Sequence, residues 1–188
     1  MLVSAIKLCS EGIMEKRQGK AWVIMGVSGC GKSETGSRLA ALLDVPFIEG
    51  DRFHPEANVR KMSAGVPLDD TDRAGWLQAL RDEIVRGCAG GGSVVLACSA
   101  LKRAYRDLLR TANADVHFVH LEGERDVIET RMRARADHYM PPSLLDSQLR
   151  SLEPLQADEP GITLDNSEPL ATVVARVHEY AGAAVVQD

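Results

Sequence analysis

Aromatic residues are scarce in this chain, 4% of 188 residues, and no excess of positive charge accompanies them, the formal net charge being −5. A nucleic-acid surface needs a basic footprint, and a single-strand binder also needs rings on which bases stack. Both are missing, so no nucleic-acid partner is expected. Long apolar runs are missing as well, since none approaches the ~20 residues that cross a bilayer. Met1 to Ser10 carries one lysine and some apolar side chains but no sustained hydrophobic segment before Glu11. The expectation is a cytoplasmic protein with no membrane partner. Nor do Cys9, Cys30, Cys88 and Cys98 form a C-x-x-C pair or join histidines at zinc-like spacing. Reduced thiols are the expected state.

What is present is an ordinary globular composition, 45% hydrophobic and 26% charged. The length suits one domain with a real core. Residues 1–19 read as an N-terminal extension and 20–188 as a single domain. Short apolar runs at 21–25, 46–49, 94–98, 116–121 and 162–164 predict strands. Helices are predicted between them: from Ser33 to Leu43, from a cap at Asp72 through Leu77, Leu80, Ile84 and Val85, from a cap at Ser99 through Leu109, from Glu124 to Arg135, and from Pro169 to Tyr180. Strands alternating with helices imply an α/β fold, a three-layer αβα sandwich around a parallel sheet. The stretches 51–71 and 136–159, rich in polar residues, Gly and Pro, break the rhythm and are read as substrate and lid segments.

The strongest local signal is Gly26, Val27, Ser28, Gly29, Cys30, Gly31, Lys32 and Ser33, a full G-x-x-x-x-G-K-[ST] phosphate loop between a strand and a helix. Its glycines let the backbone wrap with N–H groups facing phosphate oxygens, and the following helix adds its positive end. Lys32 then reaches the β- and γ-phosphates of ATP, and the Ser33 hydroxyl meets Mg²⁺. A GTPase would need an Asn-Lys-x-Asp guanine reader, which is absent. Motor and transporter ATPases want an apolar strand ending in Asp, yet the strands ending at Cys98 and Leu121 run on into Ser-Ala-Leu-Lys and Glu-Gly-Glu. Small-molecule kinases remain, and these use a carboxylate after the second strand. Asp51 stands there, placed to accept the acceptor hydroxyl's proton or to help hold Mg²⁺. His54 beside it reads either as a substrate ligand or as a structural histidine. Cys30 has two readings, a thiolate activated by Lys32 and the helix end, or an inert thiol beneath the loop.

More specific than the phosphate loop are Gly50-Asp-Arg-Phe-His-Pro55 with Asn58, Lys61-Met62 and Asp72-Arg73, then Trp76-Leu77, Cys98-Ser-Ala-Leu-Lys102 with Tyr105, His138-Tyr-Met140, Ser147-Gln148 and Asp158-Glu159. In these the chain, from about Trp22 to Val177, resembles the gluconokinase family. The resemblance implies a parallel sheet of about five strands, a fold akin to adenylate and shikimate kinases, ATP and D-gluconate as substrates, and frequently a homodimer. It departs from the family pattern at Gly75, Tyr139 and Glu49. Gluconate is a carboxylate with a polyol tail, so its site needs cations, and Arg60, Lys61, Arg73 and Lys102 flank the strand ends. Arg131 and Arg135, four apart at a helix end, resemble the arginines that close over phosphate from an adenylate-kinase-like lid at about 136–143. Alternatives left open are another small-molecule kinase, such as one acting on shikimate, and an ATP-binding regulatory module.

Overall fold

A computed structural model describes residues 18–134 and 140–186. Five strands, β1 (Lys20–Met25), β2 (Phe47–Glu49), β3 (Ser93–Ala97), β4 (Asp115–Glu122) and β5 (Gly161–Asp165), form one parallel sheet in the order β2-β3-β1-β4-β5. Seven helices accompany them among the described residues: α1 (Lys32–Leu43), α2 (Glu56–Ser63), α3 (Asp70–Gly87), α4 (Arg103–Arg110), α5 (Arg125–Arg133), α6 (Leu145–Ser151) and α7 (Leu170–Val186).

The central strand explains the layering. Every residue of β1 is buried, so both its faces must be covered. Ala21, Val23 and Met25 point to one side, where they meet Leu80 and Ile84 of α3, Leu109 of α4, and Phe118. Trp22 and Ile24 point to the other, against Leu39 of α1, Val119, and Val173 and Val177 of α7. Parallel strands put all carboxyl ends at one edge, and β1 has β3 on one flank and β4 on the other. Ligands bind at such a switch point.

Several local expectations need correcting. Asp69, rather than Asp72, caps α3: the Asp69 carboxylate accepts the Asp72 N–H at 2.8 Å and Asp72 returns the bond to the Asp69 N–H at 2.9 Å. This is a reciprocal capping box, and Asp72 is its inner member. Ser99 caps no helix, because α4 begins at Arg103 with Lys102 preceding it. Val85 is exposed instead of core-facing. The stretches read as irregular contain α2 and α6, short helices of eight and seven residues. Arg135 and residues 136–139 of the lid expectation, including His138 and Tyr139, lie outside the described residues, as do Cys9 and most of the N-terminal extension.

One buried cation ties the polar 152–159 segment to the sheet. Arg106, fully buried on α4, donates from Nε and Nη2 to the two Glu159 carboxylate oxygens at 2.6 and 2.8 Å. Its Nη1 reaches the carbonyls of Ala100, Leu101 and Glu153, and Nη2 that of Pro154. Removing one partner of such a pair strands the other charge in a dry site. Arg106→Met is therefore expected to cost about 3–5 kcal/mol in urea unfolding. A loss below about 1 kcal/mol, the range of exposed pairs, would show that this network is not a structural tie.

Candidate active site

Sequence makes the phosphate loop, and the sheet edge then holds it open. Gly26, Gly29 and Gly31 have φ of 133°, 83° and 101°, a region that side chains disfavour. Gly29 has a further reason, since a Cβ there would lie 2.6 Å from Met132 Cγ of α5. The loop is pinned from below by Gly26 N–H donating to the Ser99 carbonyl at 3.2 Å. That is the task of Ser99: it anchors the loop by its backbone. Gly31 stands at the α1 N-terminus with no side-chain cap, so the first-turn N–H groups there are left for an anion. Lys32 Nζ folds back onto the Val27 carbonyl at 2.8 Å.

Cys30 settles its two readings by orientation. Only 1% exposed, it packs in the core with Val27, Ile128 and Met132, and a Cβ on Gly26 would sit 2.9 Å from its sulfur. The thiol lies under the loop, sheltered from reagents. For the other two described thiols, burial pushes the pKa of Cys98 up to about 12 and that of Cys88 up to about 11. Neither thiol ionises near neutrality.

Asp51 sits in a single turn of 3₁₀ helix, Gly50–Phe53, immediately after β2. Trp76 of α3 locks that turn, its indole N–H donating to the Gly50 carbonyl at 2.8 Å. Gly50 has no alternative residue, for a Cβ would come within 2.3 Å of the Ala97 carbonyl. His54 stacks on the Trp76 ring with centroids 4.1 Å apart. Burial pushes its pKa down to about 4, Asp51 opposes the shift and Arg73 adds to it. His54 is therefore a neutral imidazole at pH 7, and its Nδ1 is buried with no hydrogen-bond partner among the described residues. Asp51 adds to the upward shift of the Cys98 thiol just past β3, and Lys32 and Arg73 oppose it.

The other cations are differently employed. Arg60 is exposed and pairs with Glu56 one turn earlier at 2.5 Å. Lys61 is bound to Asp72, whose hydrogen bond raises the lysine's pKa. Lys102 Nζ meets Asp70 at 2.6 Å and lies 5.6 Å from the Tyr105 ring, while the Tyr105 hydroxyl also donates to Asp70. Arg73 stands 6.0 Å over the same ring and has no carboxylate in ion-pair contact among the described residues. Of the four, it is the one with an unspent fork.

On the opposite side of the loop lies a cleft of about 350 Å³ lined by Gly29, Gly31, Thr35, Arg131, Asn166 and Glu168. Its floor is the segment after β5, where Asn166 and Glu168 stand. Asn166 carries the geometry: its side-chain N–H₂ donates to the Cys30 carbonyl at 3.1 Å and its main-chain carbonyl accepts from Arg131 at 3.0 Å. Asn166 and Gln148, whose Oε1 accepts the Ser28 N–H at 2.7 Å, were not among the expected site residues. Both touch the loop across more than a hundred positions of chain, and nothing in the local sequence signals that.

Residues 22–155 match the AAA domain family. The chain is 43% identical over 162 residues to the thermosensitive gluconokinase of Escherichia coli K12, covering 86% of this chain and 87% of that one. Among solved structures it is similar to a gluconokinase from Sinorhizobium meliloti 1021, with a TM-score of 0.74 and 41% identity over 89% of this chain and 98% of that chain. It is also similar to an unliganded sugar kinase from Janibacter sp. HTCC2649, with a TM-score of 0.82 and 41% identity over 87% and 95% of the two chains.

Proposed function

Because the chain belongs to the gluconokinase family of AAA-domain P-loop proteins, we propose that it transfers the γ-phosphoryl group of ATP to D-gluconate, giving ADP and 6-phospho-D-gluconate. What supports the reading is a phosphate loop bearing Lys32 after β1, the Asp51 turn directly after β2, and Arg73 with an unspent guanidinium. The loop N–H groups and Lys32 hold the β- and γ-phosphates, and the base lies in the cleft by Asn166 and Arg131. Arg73 grips the substrate carboxylate bidentately, with His54 offering its neutral ring to a hydroxyl. Lys102 is a secondary cation, reached by breaking an exposed pair with Asp70. Asp51 receives the proton of the attacking hydroxyl or supports the metal. Arg135, joined by Arg131 once it releases the Asn166 carbonyl, supplies charge as the lid of about 136–143 closes and excludes water.

Among the described residues no three His, Cys, Asp or Glu side chains gather around a metal position. The donor set on offer is Ser33 in the first turn of α1 and Asp51 in the turn after β2. Mg²⁺ suits that set, because it keeps several waters and takes few protein ligands beside phosphate oxygens. Bound there it would neutralise charge on the phosphates. The single domain over 20–188, a homodimer and a cytoplasmic location belong to the same reading, and sedimentation checks the dimer.

The deciding assay couples ADP release to acceptors added singly. Gluconate should be turned over, glucose should lose at least about a hundredfold in kcat/KM for want of the carboxylate that Arg73 and its neighbours were built to pair, and shikimate should be inert. Equal efficiency on glucose, or ADP release independent of any acceptor, would overturn the proposal.

A further inference from the structure

Gln148 stands on α6, beyond the phosphate loop in sequence, yet is only 6% exposed and reaches that loop. Its hydrogen bond to Ser28 fixes which way the carboxamide faces. A backbone N–H can only donate, so Oε1 must meet it and the N–H₂ must turn away. On the other side lies a recess of about 10 Å³ shared with Pro67, Arg73, Met140 and Ser147. That volume suits one oxygen-sized group rather than a whole molecule. The one hydrogen bond of this side chain among the described residues is the one its oxygen accepts from Ser28. The nitrogen is not among the fully enclosed unpaired atoms, so it keeps an open side from which a ligand oxygen can be met.

We propose that Gln148 positions the phosphoryl acceptor, its Nε2 donating to an oxygen of the hydroxy-acid substrate beside Arg73 while Oε1 stays on the Ser28 N–H. The inference rests on the gluconate reading above. One planar amide then spans nucleotide loop and acceptor. Substrate oxygen and phosphate loop are held in a common register, the alignment on which in-line transfer depends. Specificity follows as well, since an acceptor lacking an oxygen at that point forgoes the hydrogen bond and leaves the donor without a partner once the site is filled.

Two variants test it by steady-state kinetics with each substrate varied separately. Gln148→Glu keeps the shape and the bond to Ser28 but puts a negative acceptor where the donor stood. Gln148→Met keeps the volume and loses both bonds. The gluconate KM should rise about tenfold or more in Gln148→Met and further in Gln148→Glu, while the ATP KM stays within about twofold. A merely structural role would raise both constants together and lower the melting temperature, which would overturn the assignment. A lower ATP KM in Gln148→Met would overturn it too, identifying a latch that the nucleotide displaces. If wild type phosphorylates gluconate and both variants retain its KM, only this inference fails; if wild type leaves gluconate untouched, the functional reading fails first.

Discussion

Lys32→Met should fold normally and lose about a hundredfold or more in kcat, corresponding to ~3 kcal/mol of transition-state stabilisation. The structure makes this a clean comparison. Among the described residues Lys32 Nζ binds the Val27 carbonyl alone, and that carbonyl also receives the Cys30 N–H at 3.4 Å, so the substitution strands no buried group there. Methionine keeps most of the length and discards the charge. The charge matters where it has no partner inside the protein, which is when negative charge spreads over the transferred phosphoryl oxygens. Thermal melting within a few degrees of wild type together with near-normal turnover would remove the loop from the reaction. Loss of activity with loss of fold would instead show that the lysine braces the loop.

The loop was legible because its demands are local. Glycines at fixed offsets, a lysine and a hydroxyl can be read in eight consecutive residues, and the apolar strand before them fixes the context. The sheet was legible for the same reason: parallel strands buried on both faces appear as short apolar runs, and all five were found within a residue or two. The cap of α3 was misplaced by three positions because Asp69 and Asp72 both satisfy the pattern, and only the reciprocal bonds separate cap from third residue. Helices α2 and α6 escaped because they are short and polar, so periodicity has too few turns to show. The roles of the cations were not legible at all. Arg60 and Lys61 look like Arg73 in sequence, and what distinguishes them is whether Glu56 or Asp72 has already taken the charge. Gln148 and Asn166 depend on contacts that only the completed fold creates.

Asp51→Asn should lower kcat by about a hundredfold or more, within the range for a positioned acid–base group. Asparagine preserves the volume, and the turn that carries it is fixed by neighbours, through Trp76 on the Gly50 carbonyl and the close approach of Gly50 to Ala97. The variant therefore tests charge and proton capacity rather than shape. Two roles make different forecasts. As proton acceptor, Asp51 has its effect in kcat alone, and the Mg²⁺ concentration for half-maximal rate stays put. As a metal ligand, its loss raises that concentration, and excess Mg²⁺ restores part of the rate. His54 is no substitute base in this comparison, even though its unpartnered ring nitrogen is equipped to accept a proton. Its pKa of about 4 makes it a weak one at neutral pH, and losing the Asp51 charge that now opposes the shift would push it lower still. The residual activity of Asp51→Asn should accordingly gain little from His54, and Asp51→Asn/His54→Ala should retain most of the single variant's proton-transfer rate while losing gluconate affinity. An Asp51→Asn enzyme with wild-type kcat at every Mg²⁺ concentration would remove Asp51 from the chemistry and leave positioning to the loop and the arginines.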